Sequence, residues 1–196
     1  CNPTCLRLLT QSIKCVNNLK QVGLHAAMYM NDYDDYYTPY SITYPKIVNG
    51  VTTMAENTHW WMRMLPELEL LTSKPNAVTN SIMRCPAVTQ TNFGDSWNYY
   101  NLNYSMNEDM AAGEAGDWSG KVRYQRFKNM NTLFTIGDGN IFNNDANTRD
   151  GFNCTTTLPN FNAHNGRANF LFLDGHVAGM RQAETEEWVN YRAVYN

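Results

Sequence analysis

Apolar residues open the chain at helical spacing. Over 3–31, Leu6, Leu9, Ile13, Val16, Leu19, Val22 or Gly23, Ala26 or Ala27, and Met30 recur at three- and four-residue steps, which predicts one long helix with a single apolar stripe. Asn2-Pro3 suits its start, an amide cap ahead of a residue whose fixed backbone angle fits the first turn. At 1.5 Å per residue such a helix runs roughly 43 Å. The run from Asn31 through Asp32, Tyr33, Asp34, Asp35, Tyr36, Tyr37 and Thr38 to Pro39 ends it, because clustered side-chain acceptors compete with the helix and proline cannot continue it.

A second, shorter helix is expected over 58–71, with Trp60, Trp61, Met64, Leu65 and Leu68 on its apolar face and Pro66 interrupting it. Beyond Pro75 the pattern changes to short strand-like runs between turn clusters. These fall at 97–105, 121–127 and 133–136, with a hairpin of 168–173 and 176–180 turning at Asp174-Gly175. A last helix is expected over 184–192, packing Trp188 and Val189. No repeat or linker divides the chain. The pattern therefore predicts one α+β domain over 1–196: an N-terminal helix (1–31) packed on an antiparallel β-sheet, which belongs with irregular loops to a globular part (32–196).

Composition narrows the partners. The chain has 196 residues, enough for one domain with a core, and 15 basic against 18 acidic residues give a net charge of -3. With no basic run, nucleic acid is not an expected partner. The longest apolar stretches, such as 168–173, fall far short of the roughly 20 residues that span a bilayer, so membrane contact is expected only through a segment absent from this chain. The chain starts at Cys1 rather than Met and carries no secretory leader, so a fragment or processed product is expected. Asn occurs 26 times and Lys only 6, beside 12 Tyr and 5 Trp, so contacts are expected through amides and phenols rather than charge, as on secreted or cell-surface proteins. Cys1, Cys5, Cys15, Cys85 and Cys154 are too scattered for a zinc site built from paired Cys-x-x-Cys elements. They read instead as one or two disulfides in an oxidising compartment, with Cys1 the odd thiol.

Three constellations carry candidate chemistry. His164, with Asp174 and His176, has the makings of a base and its orienting carboxylate, and a metal-assisted hydrolase is the enzymatic reading. No nucleophile elbow of the Gly-x-Ser-x-Gly type accompanies them, and Asp174-Gly175 is explained by turn geometry alone, so no enzyme is expected. The segment 138–150 offers Asp138, Asn140, Asn144, Asp145, Asn147 and Asp150 as hard oxygen donors for calcium, without EF-hand spacing; Asx-turns explain the same residues. Trp60, Trp61, Trp97 and Trp118 offer flat faces for sugars, against the plainer reading of core packing. Tyrosines between Tyr33 and Tyr44 suit subunit contacts. The acidic group Asp32, Asp34 and Asp35 reads as a solvated helix end, and the sequons Asn103-Tyr104-Ser105 and Asn153-Cys154-Thr155 as chance in an Asn-rich chain.

Four stretches, in order, resemble one known family. They are Lys14-Cys15-Val16-Asn17-Asn18-Leu19-Lys20-Gln21-Val22-Gly23-Leu24; His59-Trp60-Trp61-Met62-Arg63-Met64-Leu65-Pro66-Glu67-Leu68; Arg84-Cys85-Pro86; and His164, nine residues, then Asp174-Gly175-His176-Val177. Together they are similar to the prepilin-type processing-associated family, whose name rests on a His, nine residues and an Asp-Gly. The resemblance implies a type IV pilin-like fold. It also implies a structural subunit of an extracellular pilus-like or pseudopilus filament, self-associating through its N-terminal helix with copies of itself and other pilin-like or secretion-system subunits. The apolar leader half that normally precedes this region in the family does not occur here. No cofactor is required on this reading; calcium is possible, since major pseudopilins of this fold use it to order a C-terminal loop. The disulfide pairs expected first are Cys85 with Cys154 or Cys15 with Cys85, with Cys5 a further candidate. A surface-anchored glycan- or ligand-binding module is the alternative.

Overall fold

The structure, a computed structural model, describes residues 3–39, 41–42, 45–48, 51–54, 58–59, 64, 82–88, 103–107, 130–139, 151–152 and 159–186. Helix α1 (Pro3–Asp32) has 30 residues, a rod of about 45 Å, and its ends lie where the capping and breaking residues put them. Past its last turn the Tyr33 N–H donates to the Tyr29 carbonyl at 3.0 Å and the Asp35 N–H to Met30 at 2.9 Å. Asp34 and Asp35 then take left-handed backbone angles, φ 57° and 62°, which short polar side chains tolerate. That reversal feeds Tyr37 and Thr38 into the core, where both are buried.

The single apolar stripe expected on α1 is corrected to two. Cys15, Leu19, Val22, Ala26 and Tyr29 are buried, whereas Leu6, Leu9, Ile13, Leu24 and Met28 are each more than half exposed. At about 100° per residue the buried five span roughly 80° of arc and the exposed five roughly 100° on the opposite side. Three- and four-residue steps drift around the axis, so a run of them that starts on one face of a long helix ends on the other. Leu8, which shares the direction of the buried face, is also more than half exposed.

The other elements, in chain order, are β1 (Ser41–Ile42), β2 (Pro45–Val48), β3 (Val51–Met54), β4 (Thr58–His59), β5 (Tyr104–Asn107), β6 (Phe134–Asp138), β7 (Gly151–Phe152), β8 (Ala168–Phe172), β9 (Val177–Met180) and α2 (Gln182–Glu186). The main sheet has the order β7-β5-β6-β8-β9. Its β5, β6, β8 and β9 run antiparallel to their neighbours, and β7 lies parallel along the β5 edge. The molecule is thus α+β, with an N-terminal helix against a mainly antiparallel sheet. The helix expected over 58–71 does not begin at Thr58: Thr58 and His59 pair as strand with Ile42 and Ser41. Backbone pairing with a distant segment outweighs the local apolar spacing there. Met64 is helical and buried, and the rest of that stretch lies outside the described residues, as do the expected strand at 121–127 and the end of the helix at 184–192. The pair β2–β3, in register Val48 opposite Val51, was signalled by Asn49-Gly50 between two apolar runs and was missed.

The sheet separates two cores. Tyr104, Met106, Ile136, Leu171 and Leu173 pack with the buried face of α1, while Phe134, Ala168, Phe170, Phe172 and Met180 form a second cluster with Phe161. Phe134 and Ile136 fall in different clusters although two residues apart, because the β6–β8 register shifts between them. Gly23 lets α1 lie close on β8, since a Cβ there would meet Leu171 Cδ1 at 2.8 Å. Among the described residues no helix is long and apolar enough to cross a membrane.

Candidate functional site

Positions 11, 15 and 18 follow one another along one side of α1 at helical spacing, and all three hold the segment 82–88. Gln11 Nε2 donates to the Pro86 carbonyl at 3.0 Å and Asn18 Nδ2 to the Arg84 carbonyl at 2.8 Å. Between them Cys15 and Cys85 are joined as a disulfide, with their Cα atoms 5.0 Å apart. Both cysteines are fully buried. Of the two pairs expected first, this one forms, and Cys85 is therefore not bonded to Cys154. Cys5 is also disulfide-bonded; its partner lies outside the described residues.

The sheet end completes the clasp. Asn103, buried just before β5, accepts the Cys85 N–H on Oδ1 at 3.0 Å and donates its own N–H to Met83 at 3.0 Å. With that amide sealed in the core, the sequon Asn103-Tyr104-Ser105 does not present a glycan site. Tyr104 reaches across to donate its hydroxyl to the Cys15 carbonyl at 3.2 Å. Burial, and then the negative field of Asp138, push that phenol well above its usual range.

His164 arrives on the loop between residues 159 and 167. Asn160 anchors this loop by donating its N–H to the Asp138 carbonyl at 2.8 Å, and its Oδ1 accepts the Asn162 N–H at 3.2 Å. Asn165 and Gly166, at φ 56° and 81°, then turn the chain into β8. The ring is thereby set with Nε2 3.3 Å from Cys85 Sγ and 3.2 Å from Asp138 Oδ2. Asp138 Oδ2 also accepts the Asn169 N–H at 2.6 Å. The Asn169 side-chain amide also faces this buried carboxylate. Burial raises the Asp138 pKa above the ordinary carboxylate range, against the lowering pull of His164 and Asn169. The two sulfurs and the His164 nitrogen lie within 4.8 Å of one another.

The geometry differs from that of a Ser-His-Asp relay. A histidine base held by a carboxylate uses its two ring nitrogens for two tasks; here one nitrogen meets both the sulfur and the carboxylate, and the sulfur is already bonded. Nor does His164 meet Asp174. Asp174 Oδ1 accepts the His176 N–H at 3.1 Å and pairs with His176 Nδ1 at 2.6 Å. The His176 ring stacks on Phe172 at 4.1 Å between centroids, and Gly175 closes the turn at φ 89°. His164 reaches β8 near Asn169 and Asp174 lies beyond its other end, five residues along the strand or roughly 17 Å. The two ends of the His-to-Asp-Gly motif pin opposite ends of one strand.

Asp138, which sequence reasoning set on a calcium loop, is instead the end of β6 and the partner of His164. The other candidate calcium donors, Asn140, Asn144, Asp145, Asn147 and Asp150, lie outside the described residues, as do Trp60, Trp61, Trp97, Trp118 and Cys154. Tyr33 is exposed and stacks on Tyr29 at 4.2 Å, while Tyr37 is buried. The amide clasp of Gln11 and Asn18 was missed, although their spacing around Cys15 is a readable signal. No protein-family model, curated protein or solved structure matches the chain.

Proposed function

We propose that this protein is a structural subunit of an extracytoplasmic, pilus-like filament that assembles through α1, with copies of itself as its partners and no catalytic role. One observation carries the reading: α1 has two apolar faces, and among the described residues only one is packed within the subunit. The outer face, with Leu6, Leu9, Ile13, Leu24 and Met28 each more than half exposed, is larger than scattered surface leucines require. A rod with an inner face on its own sheet and an outer face left over fits head-to-tail packing, which generates open filaments where the rotation between neighbours does not close a ring. Asn17 and Lys20, exposed on the same side, break the stripe into two patches and would set the register between rods. The disulfides suit an oxidising compartment, and the resemblance of four stretches to pilin-like proteins points the same way.

The test is a concentration series by light scattering and negative-stain electron microscopy. The wild-type chain forms polymers whose mass rises with concentration. Leu9→Asp combined with Leu24→Asp abolishes them while leaving the urea unfolding midpoint in place. A wild-type chain that stays monomeric at every concentration, or a double variant that polymerises equally well, overturns the reading.

A further inference from the structure

We propose that Cys15, Cys85 and His164 form a zinc-type metal site in the reduced chain, so that a divalent cation and the disulfide are alternative fastenings of one junction. Thiolate sulfur and imidazole nitrogen are the donors that favour zinc over magnesium or calcium. The three atoms already lie within 4.8 Å of one another and are sealed between α1, the segment 82–88 and the loop carrying His164. Zinc bonds of about 2.0–2.3 Å place neighbouring ligand atoms of a tetrahedral site roughly 3.3–3.8 Å apart. The His164 nitrogen is 3.3 Å from Cys85 Sγ, so one edge of that figure stands close to its required length. The missing step is separation of the sulfurs, which cleavage of their bond allows.

Electrons and protons balance as follows. A dithiol reductant gives two electrons and two protons to the disulfide and becomes a cyclic disulfide itself. The two thiols then release two protons as they bind the dication, and His164 binds through the Nε2 lone pair with its proton on Nδ1. Because both sulfurs are fully buried in the folded chain, the metal enters while the reduced chain folds. Scattered cysteines had argued against zinc in the sequence; the fold gathers two of them with a histidine 79 residues from Cys85.

The experiment unfolds the full chain in guanidinium with dithiothreitol, transfers it to oxygen-free buffer without reductant, and refolds it with Co2+. The expected result is a folded chain retaining one Co2+ after gel filtration, with tetrahedral d–d bands and thiolate-to-cobalt charge-transfer absorption. The oxidised chain retains none, and Cys85→Ser and His164→Ala each lose the stoichiometric ion. Changing Cys1, Cys5 and Cys154 together to serine leaves it bound. Failure of the reduced chain to retain Co2+, or to fold with it, overturns the proposal, and so does a Cys85→Ser chain that retains as much as wild type. Should a variant not fold, X-ray absorption on the wild-type zinc form reads the ligands directly: two sulfurs with one imidazole support the site, and any other set overturns it.

Discussion

Asp138 binds its proton more tightly in the folded chain than in the unfolded one, since burial outweighs the pull of His164 and Asn169. The sign of the linkage follows. The stability this group contributes is fully present below the unfolded carboxylate pKa, about 3.9, and is lost as pH rises through the raised folded value. Asp138→Asn removes that loss. Urea unfolding across a pH series should give a flatter profile for the variant in the window just above the ordinary carboxylate range, and an unchanged slope would refute the assignment. Replacing Cys15 and Cys85 together by alanine should lower stability by about 4 kcal/mol, the loop-closure value for a crosslink of this span, given the 70-residue separation of the pair; matched denaturant melts of the oxidised forms check it. Both cysteines and His164 stood out in the chain as candidates. The pairing of Asp138 with His164 was not legible, because a carboxylate in Asp-Gly-Asn looks like a turn residue until the strand ending at it is known, and nothing local marks a partner on another loop.

The elements that were readable are those whose signals are local. Helix α1 carries a cap, a period and a breaker, and the β8–β9 hairpin carries Asp174-Gly175 between two apolar runs. Pairing between distant segments is not written locally, which is why Thr58–His59 as a strand and β7 beside β5 could not be anticipated. The tight seat of α1 on β8 is testable. Gly23→Ala should be nearly neutral in thermal melts: the helix gains about 1 kcal/mol in propensity, while the new methyl displaces only the tip of Leu171. Gly23→Val should cost about 1–3 kcal/mol through overpacking. Gly137→Ala has no such relief, because its Cβ would meet the Phe170 ring at 2.6 Å and the Asn169 backbone oxygen at 3.2 Å, and a loss of about 1–3 kcal/mol is expected there too.

For the molecule as a whole, the α+β layout and the helix-on-sheet arrangement followed from the pattern, but the strand order did not, since it depends on contacts made across most of the chain. If α1 joins subunits through leucine and methionine faces, the association is hydrophobic in origin. Sulfate should then promote it by strengthening burial, and moderate sodium chloride should barely affect it, because the face carries few charges. Sedimentation in the two salts distinguishes this from an ionic contact, which sodium chloride would dissolve. The bond between Cys15 and Cys85 has a mechanical consequence for such an assembly. A pull along the rod is borne first by a covalent link rather than by the packing of Leu19, Val22 and Ala26 alone. The load passes from there to the segment beside Asn103 and into the strand that starts next to it, so the subunit resists being stripped from its own spine under tension. Stretched singly with and without the bond, the oxidised chain should hold the rod to higher force.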